Sequence, residues 1–409
     1  MKYGCIGEHL AHSFSKEIHN ALCDYEYEIK EIPRDELDLF MQKKEFNAIN
    51  VTIPYKELVI PHLHYISDEA KMIGAVNTII NKDGNLYGYN TDFLGMKSLI
   101  LKNNMDFSGK KVLILGTGGT SKTAHAVSES LGANEIITVS RKRSDKAIDY
   151  DDMYQCHFDA DYIINTTPVG MYPNIYASPV KLDKFKSLSG VVDAIYNPLS
   201  SALVSEAKRI GINATGGLYM LVKQAAYAAE KFINTHISEE KSDEVYNKIF
   251  SKKQNIVLIG MPSSGKTTIG EKLSKFLGRK MIDTDQLIGM REGKEITEIF
   301  SDNGEEYFRK CEKEVIAQVS KESGLIISTG GGCILDEDNI RNLKMNGKVY
   351  FIDRNLENLT ATKSRPLSSD MEALKKRYEE RYDKYMKLCD VRVDNNGSIE
   401  DVINKILER

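Results

Sequence analysis

The sequence predicts an α/β protein whose two domains are each built around a largely parallel β-sheet. Short apolar runs of strand length alternate with helical patterns along nearly the whole chain. Two glycine-rich loops each follow such a run and precede a helical pattern: VLILGTGGTSKT, whose strand ends at Leu115, and IVLIGMPSSGKTT, after the run 256–259. Strand–loop–helix units of this kind bind phosphate groups at the helix N-terminus. A chain of 409 residues has room for two or three domains.

The first domain is predicted to span residues 1–252. Its strand-like segments are KYGCIG, NAINVTI, KKVLILG, EIITVS, YIINTT and VVDAIY, and residues 15–25, 69–74 and 218–235 are among the predicted helices. The alternation in 110–215 is typical of a doubly wound, Rossmann-like sheet. We therefore assign a nucleotide subdomain to about 101–217 and a substrate subdomain to about 1–100 and 218–250.

The second domain is predicted to span residues 253–409. Residues 234–255 turn polar and charged, and the boundary falls near Lys252, where the end of a helix and a short linker are both compatible with the sequence. Four further strand-like segments follow, NIVLIG, RKMIDTD, GLIISTGGG and KVYFID. They predict a P-loop domain with a parallel sheet.

Composition restricts the class of protein. The hydrophobic fraction of 41% and the charged fraction of 28% are typical of a soluble globular protein. A net charge of −4 gives no overall basic field for nucleic acid or an anionic membrane. There is no apolar run of membrane-spanning length, and the first residues lack the apolar core of a signal peptide. With six scattered cysteines and no CxxC pair, we expect reduced thiols in a cytoplasmic protein.

The second loop matches the P-loop pattern GxxxxGKS/T without a departure. Its backbone N–H groups would hold phosphate oxygens, Lys266 would neutralise the β- and γ-phosphates, and the Thr267 hydroxyl would bind Mg²⁺. The predicted ATP-binding residues are Gly260, Ser263, Ser264, Gly265, Lys266, Thr267 and Thr268. The less specific interpretation is a glycine-rich turn before a helix.

The first loop is a less complete dinucleotide fingerprint. Gly116 and Gly118 match it, but Ser121 replaces its third glycine. The next strand ends in Ser140 instead of an acidic residue, and the basic run 141–143 follows, which favours the 2′-phosphate of NADP over NAD. The predicted NADP-binding residues are Gly116, Gly118, Gly119, Thr120, Ser121, Ser140, Arg141 and Arg143. A solvated basic turn is the alternative.

Polar clusters around the first loop occur in a specific order. They are AHSFS, NVTIPYK, GAVNT, NTD, GTGG, NTTPVGM, DAIYNP and a final glutamine. Each alone is more often a cap or turn, but together they resemble shikimate dehydrogenase over residues 1 to about 250. The resemblance implies that Lys56 and Asp92 form a catalytic pair. It also implies that the substrate is bound by Ser13, Ser15, Thr52, Asn77, Tyr196 and Gln224, with Thr166 and Met171 bordering the nicotinamide.

Two positions depart from that family's pattern. Lys16 stands where the family usually has a proline, and the NADP turn begins Ser140-Arg141-Lys142 instead of with Asn-Arg-Thr. The arginine of the turn is kept, so NADP remains the expected cofactor.

Motifs after the P-loop resemble shikimate kinase over residues 254–409. Asp283 and Asp285 are expected at the end of one strand, where carboxylates two residues apart project to the same side. The resemblance implies that Thr267 and Asp283 hold Mg²⁺, that Lys266 and Arg365 assist transfer, and that shikimate is bound by Asp285, Arg309, Gly331 and Arg381. A surface charge at Arg309 and a tight strand exit at the glycines are the ordinary alternatives.

The segment before Arg365 is short for a lid. It contains no arginine beyond Arg354, whereas the family often carries another basic lid residue, for which Lys363 is the candidate here.

The two resemblances imply reactions that share one small molecule, as the product of the first and the substrate of the second. The first half would reduce 3-dehydroshikimate to shikimate with NADPH, and the second would phosphorylate shikimate with ATP and Mg²⁺. The alternatives are a quinate/shikimate-type dehydrogenase, a regulatory or catalytically weak kinase-like module, and a P-loop kinase for another small metabolite. For the last, the Arg309 and Arg381 pair favours a carboxylate-bearing substrate. The expected partners are these small molecules, without nucleic acid or membrane, and the oligomeric state is not predicted.

Overall fold

The computed structural model describes residues 1–8, 10, 14–360 and 371–408. Their contacts divide the chain into two compact units, Met1–Phe250 and Ser251–Arg409. Among the described residues, no helix is both long and apolar enough to cross a membrane.

The first unit begins with a mixed six-stranded sheet in the order β2-β1-β3-β5-β6-β4. Its strands are β1 (Tyr3–Gly7), β2 (Tyr27–Glu31), β3 (Ala48–Val51), β4 (Tyr65–Ile66), β5 (Thr78–Lys82) and β6 (Asn85–Tyr89). Strand β3 is parallel to β1 but antiparallel to β5, so the chain segment after β3 and the loop before β5 meet at one edge of the sheet.

A second sheet follows in the same unit, with all five strands parallel and in the order β11-β10-β9-β7-β8. Its strands are β7 (Lys111–Leu115), β8 (Glu135–Val139), β9 (Tyr162–Asn165), β10 (Gly190–Asp193) and β11 (Asn213–Thr215). After β8 the chain crosses back over β7 to form β9. The first glycine-rich loop therefore lies at the switch point of a doubly wound sheet, where such folds bind ligands.

Nine helices of this unit are described. They are α1 (Ser15–Leu22), α2 (Leu37–Lys43), α3 (Asp68–Ile73), α4 (Thr91–Lys102), α5 (Gly119–Ser130), α6 (Tyr150–Cys156), α7 (Ala202–Arg209), α8 (Leu218–Ile233) and α9 (Glu239–Lys253). Helices α4 and α8 approach closely because Gly95 has no side chain, and a Cβ there would lie 2.7 Å from the Met220 carbonyl oxygen.

The polar stretch around the predicted boundary is a helix. Helix α9 buries Val245 and Ile249 in a cluster with Val222 and Ala226 of α8. Its polar appearance arises because polar side chains occupy its exposed positions, while Tyr246 and Phe250 pack beside the buried pair on one apolar face.

The second unit contains a parallel five-stranded sheet in the order β13-β14-β12-β15-β16. Its strands are β12 (Asn255–Ile259), β13 (Met281–Asp283), β14 (Ile326–Ser328), β15 (Gly347–Asp353) and β16 (Val391–Asp394). Its described helices are α10 (Lys266–Leu277), α11 (Thr284–Glu292), α12 (Ile296–Val319), α13 (Glu337–Asn346), α14 (Met371–Leu388) and α15 (Ile399–Leu407). Helix α12 is kinked at Gly304, whose φ is 82°.

The predicted fold class is therefore confirmed: two parallel doubly wound sheets, one of them preceded by a mixed sheet. Strands β12 and β14 are buried along their full length, as the apolar runs at 255–259 and 326–328 predict.

Candidate active sites

Lys56 and Asp92 form a direct ion pair. The Lys56 Nζ lies 2.6 Å from Asp92 Oδ2, and the two side chains are 23% and 15% exposed. Asp92 is held in the first turn of α4, where Asn90 caps the helix by accepting a hydrogen bond from the Phe93 N–H. The pair therefore presents a partly buried ammonium group whose orientation is set by a carboxylate on a fixed helix.

A polar network extends beside this pair. Asn77 donates to Gln224 Oε1 over 3.3 Å, while its own Oδ1 accepts from the Thr91 N–H at 2.8 Å. Asn50 in turn donates to the Asn77 carbonyl oxygen. The close approach of α4 and α8 thus brings Gln224 to residues far from it in sequence. We call Lys56, Asp92, Asn77 and Gln224 the N-terminal site.

The structure describes most of the other residues that the sequence predicts to bind substrate. Ser13 lies outside the described residues. Ser15 is the first residue of α1, and the neighbouring Phe14 ring lies 5.3 Å from the Tyr196 ring, between centroids. Thr52 directly follows β3 and accepts a backbone hydrogen bond from Tyr55. Ser15, Thr52 and Tyr196 thus stand at the start of α1, directly after β3 and shortly after β10.

The dinucleotide loop has the open backbone that a pyrophosphate requires. Gly116 has a φ of +110°, and a Cβ there would lie 2.8 Å from Thr166 Oγ1. Gly118 and Gly119 have open space where a Cβ would stand, and they begin α5, which continues through Thr120 and the buried Ser121. The helix N-terminus and its free approach fit the pyrophosphate of a dinucleotide.

The basic turn after β8 is exposed, and its residues are not equivalent. Arg143 donates to Asp152 at 2.8 Å, so its guanidinium group already has an anionic partner. Ser140 donates to the Lys142 carbonyl oxygen, which folds the turn back on itself. The Arg141 side chain is exposed and donates no hydrogen bond to any described residue.

Thr166 and Met171 lie after β9, in the segment that borders the first loop. Thr166 donates to the Leu115 carbonyl oxygen at 2.6 Å, which places it against the loop that begins at Gly116. Met171 is 45% exposed.

The second unit contains a cavity of about 520 Å³ over the P-loop. Lys266 donates to the carbonyl oxygens of Gly260 and Met261, both at 2.9 Å, which positions its ammonium group inside the loop. Ser263 adopts a positive φ of 63°, and Ser264 is fully buried. With Gly265 at the N-cap of α10 and Thr268 in its first turn, the loop has the shape that cradles phosphates.

Thr267 and Asp283 lie together at the floor of this cavity. The Thr267 hydroxyl donates to Asp283 Oδ2 at 3.0 Å, and Ser328 donates to the same oxygen at 3.1 Å. A hydroxyl paired with a carboxylate beside a P-loop fits Mg²⁺, which prefers oxygen ligands. Among the described residues there is no group of three or more His, Cys, Asp or Glu that could hold a metal without a substrate.

The predicted arrangement of Asp283 and Asp285 is wrong. Strand β13 ends at Asp283, which caps α11 by accepting from the N–H groups of Asp285 and Gln286, so Asp285 lies on the helix. The short strand ends early because a carboxylate at this position satisfies free helix N–H groups. Both carboxylates nevertheless line the same cavity.

Two arginines that the sequence predicts as substrate-binding residues line the same cavity. Arg309 pairs with Glu312 at 2.7 Å, and Arg381 donates to the Gly331 carbonyl oxygen at 3.0 Å. A Cβ at Gly332 would collide with the Arg309 guanidinium group, and one at Gly330 would collide with Asp285. The three glycines therefore leave room for the side chains that line the site.

Glu312 was not predicted from the sequence. Burial raises the pKa of its carboxyl, while Arg309 opposes that shift. Its position three residues after Arg309 on a helix was the available signal, since such residues lie on one face. Arg365 and Lys363 lie outside the described residues.

The two units define a class: a dinucleotide-binding reductase joined to a P-loop phosphotransferase. Family models agree in detail, since the shikimate dehydrogenase substrate-binding domain matches residues 5–79 and shikimate kinase matches residues 262–409.

Individual relatives support the first unit. A shikimate dehydrogenase (NADP(+)) of Clostridium beijerinckii is 35% identical over 60% of this chain and 96% of its own length. The crystal structure of shikimate dehydrogenase 1 from Peptoclostridium difficile superposes with a TM-score of 0.56 and 37% identity, covering 61% of this chain and 98% of that chain. The enzyme from Thermus thermophilus, solved with NADP(H) and shikimate, superposes with a TM-score of 0.55 at 26% identity, covering 61% and 99%.

The chain belongs to the shikimate dehydrogenase family, and a shikimate kinase domain follows that part in the same polypeptide. The predicted identity of both halves is thereby confirmed.

Proposed function

We propose that the first unit reduces 3-dehydroshikimate to shikimate with NADPH. The observation that carries this proposal is the Lys56–Asp92 pair, at 2.6 Å, beside the Asn77–Gln224 network. When bound, NADPH supplies the hydride that forms the new C–H bond at the ketone carbon. The ketone oxygen then carries the negative charge, and a lysine ammonium group aimed at it stabilises that charge and supplies a proton.

The binding residues follow from the same geometry. Asn77 and Gln224 are amides with both donor and acceptor atoms, which suits ring hydroxyl groups. Ser15, Thr52 and Tyr196 complete the proposed substrate side, with Ser13. The proposed NADP site uses the loop at Gly116 and the basic turn 140–143.

The second unit transfers the γ-phosphoryl group of ATP to shikimate in this proposal, giving shikimate 3-phosphate, ADP and a proton. Lys266 and the loop N–H groups neutralise the phosphates, and Thr267 and Asp283 would hold Mg²⁺. Arg309 and Arg381 fit a carboxylate, because the planar guanidinium group binds two oxygens at once. Asp285 lines the cavity and would accept a hydrogen bond from a substrate hydroxyl, and Arg365 is the further residue proposed to assist phosphoryl transfer.

One pair of assays on the purified full chain tests both activities. NADPH oxidation is followed with 3-dehydroshikimate, and ADP release is followed with shikimate, each against quinate as the competing substrate. Turnover of both pathway substrates supports the proposal. A preference for quinate would favour the quinate-type dehydrogenase, and ATP binding without ADP release would favour a catalytically weak kinase module.

A further inference from the structure

Three arginines line the cavity of the second unit, and one of them has a distinct environment. Arg309 is paired with Glu305 and Glu312, and Arg381 donates to the Gly331 carbonyl oxygen. Arg354 lines the same cavity, yet within residues 251–360 and 371–408 its Nε is buried without a hydrogen-bond partner. A buried guanidinium N–H without a partner is costly, and natural sites keep one when a ligand satisfies it.

The neighbouring carboxylate does not compensate for this. Asp353, directly before Arg354, receives its hydrogen bonds from Arg392, at 2.8 Å, and from the Tyr382 hydroxyl, at 3.2 Å. The negative charge adjacent to Arg354 is therefore already paired with other residues, while Arg354 itself lines the cavity.

The position of Arg354 in the sheet indicates which end of the cavity it serves. It follows β15, whose Phe351 pairs with Ile259 of β12, the strand that leads into the P-loop. A Cβ at Gly260 would lie 2.6 Å from the Ile352 carbonyl oxygen, so the end of β15 runs directly beside the start of the loop. Asp283 ends β13 and Asp285 follows it, and β13 is separated from β15 in the sheet by β14 and β12.

Resting on the proposed kinase function, we propose that Arg354 binds the β- and γ-phosphate oxygens of ATP from the end of β15. It would supply this cation from the end of a strand of the sheet, beside the start of the P-loop. Because Arg354 directly follows that strand, its backbone is already ordered, which lowers the ordering cost of binding a triphosphate. A guanidinium group offers two parallel N–H donors to phosphate, which lysine does not.

The test is nucleotide binding to the full chain by calorimetry, with ATP, ADP and AMP, each with Mg²⁺. We expect Arg354→Gln to raise the Kd for ATP by about tenfold or more and the Kd for AMP by less than about twofold, since AMP lacks both phosphates. Phosphorylation of shikimate should slow on the order of 10²-fold, the usual effect of removing one such donor. Arg354→Lys should recover part of the ATP affinity but less of the rate.

The matched control is Arg341→Gln, since Arg341 is an exposed arginine of α13 that pairs with Asp338 and does not line the cavity. It should leave all three affinities unchanged. A retained AMP affinity of Arg354→Gln reports that the second unit is folded, and NADPH oxidation by the same preparation reports the same for the first unit.

Two results would overturn the inference. One is an Arg354→Gln variant with ATP affinity and turnover within about twofold of the parent, and the other is an equal loss for ATP and AMP. The binding measurement does not need shikimate as acceptor. An Arg354-dependent ATP affinity without phosphorylation of shikimate would therefore sustain this inference and reject the proposed kinase function.

Discussion

At the scale of single residues, the N-terminal site depends on a lysine that is oriented by its partner. Lys56 is flexible on its own, and Asp92 restricts it because their charged atoms are 2.6 Å apart. The partner lies in the first turn of α4, where the helix dipole also favours a negative charge. The pair therefore combines charge with position, and both are needed at a developing alkoxide.

Replacing Lys56 by alanine should lower turnover of 3-dehydroshikimate by about 10²–10⁴-fold, because the charge and the proton source are lost together. The measurement is the steady-state rate of NADPH oxidation. Lys71→Ala is the matched control, since that lysine forms an exposed pair with Asp68 on α3. Near-normal turnover in the Lys56 variant would remove it from the proposed mechanism.

Asp193 is a buried carboxylate that neither proposed reaction uses directly. It ends β10, accepts hydrogen bonds from Asn165, at 3.0 Å, and from the Ser201 hydroxyl, at 2.6 Å, and is completely buried. Burial raises its pKa from 3.8 to about 6, against the lowering by these donors. Its hydrogen bond with Asn165 links the end of β10 to the end of β9. Thr166 follows β9, and Tyr196 lies three residues after the end of β10.

The raised pKa of Asp193 makes stability depend on pH with a defined sign. Between about pH 4 and 6 the folded state binds more protons than the unfolded state, so stability falls as the pH rises and is constant above. Asp193→Asn lacks this ionisation, so its Tm relative to the parent should rise from pH 4 to pH 7, by up to roughly 3 kcal/mol in free energy of unfolding. A Tm difference that does not change with pH would contradict the assignment.

At the scale of secondary-structure elements, two turns show why glycine is required. Gly116 has a positive φ and also a close neighbour, since its Cβ would lie 2.8 Å from Thr166 Oγ1. Gly109 also has a positive φ, of +68°, but has open space where a Cβ would stand. The two positions therefore separate backbone strain from close packing.

We expect Gly116→Ala to weaken NADPH binding by at least about tenfold, because both the strain and the displaced Thr166 distort the loop. Gly109→Ala should cost about 1–2 kcal/mol of stability through strain alone and leave NADPH affinity unchanged. Fluorescence titration with NADPH and thermal unfolding of both variants provide the comparison. Equal affinities in the two variants would mean that the loop at Gly116 does not hold the cofactor.

Much of the element pattern is predictable because its signals are local. The strands before both loops are short apolar runs, and the helices after them begin at Gly119 and directly after Gly265. Helix α9 and the cap at Asp283 were less accessible. Helix α9 is held by two buried apolar residues, Val245 and Ile249, which are a weak signal in a polar stretch. At Asp283 the side chain caps the next helix, so the strand ends there.

At the scale of the whole molecule, each candidate site is built from described residues of one unit. Lys56, Asp92, Asn77 and Gln224 lie within Met1–Phe250, while the P-loop, Arg309 and Arg381 lie within Ser251–Arg409. The two activities should therefore be separable by substitution.

In a coupled assay with 3-dehydroshikimate, NADPH, ATP and Mg²⁺, the full chain should form shikimate 3-phosphate. Lys56→Ala should form it only when shikimate is added, and Lys266→Ala should stop at shikimate. Product analysis by mass spectrometry distinguishes the three cases. Loss of both activities in either variant would show that the two chemistries depend on each other.

The two glycine-rich loops, the family of each half and most of the candidate site residues could be predicted without a structure, because those signals lie within short, ordered motifs. Which of these residues meet became evident from the packing of the elements. Asn77 and Gln224, 147 positions apart, are joined by the close packing of α4 and α8. Glu312 pairs with Arg309, and the pairing of β15 with β12 brings Arg354 to the cavity over the P-loop. Such contacts depend on how elements pack, and no local pattern of residues specifies them.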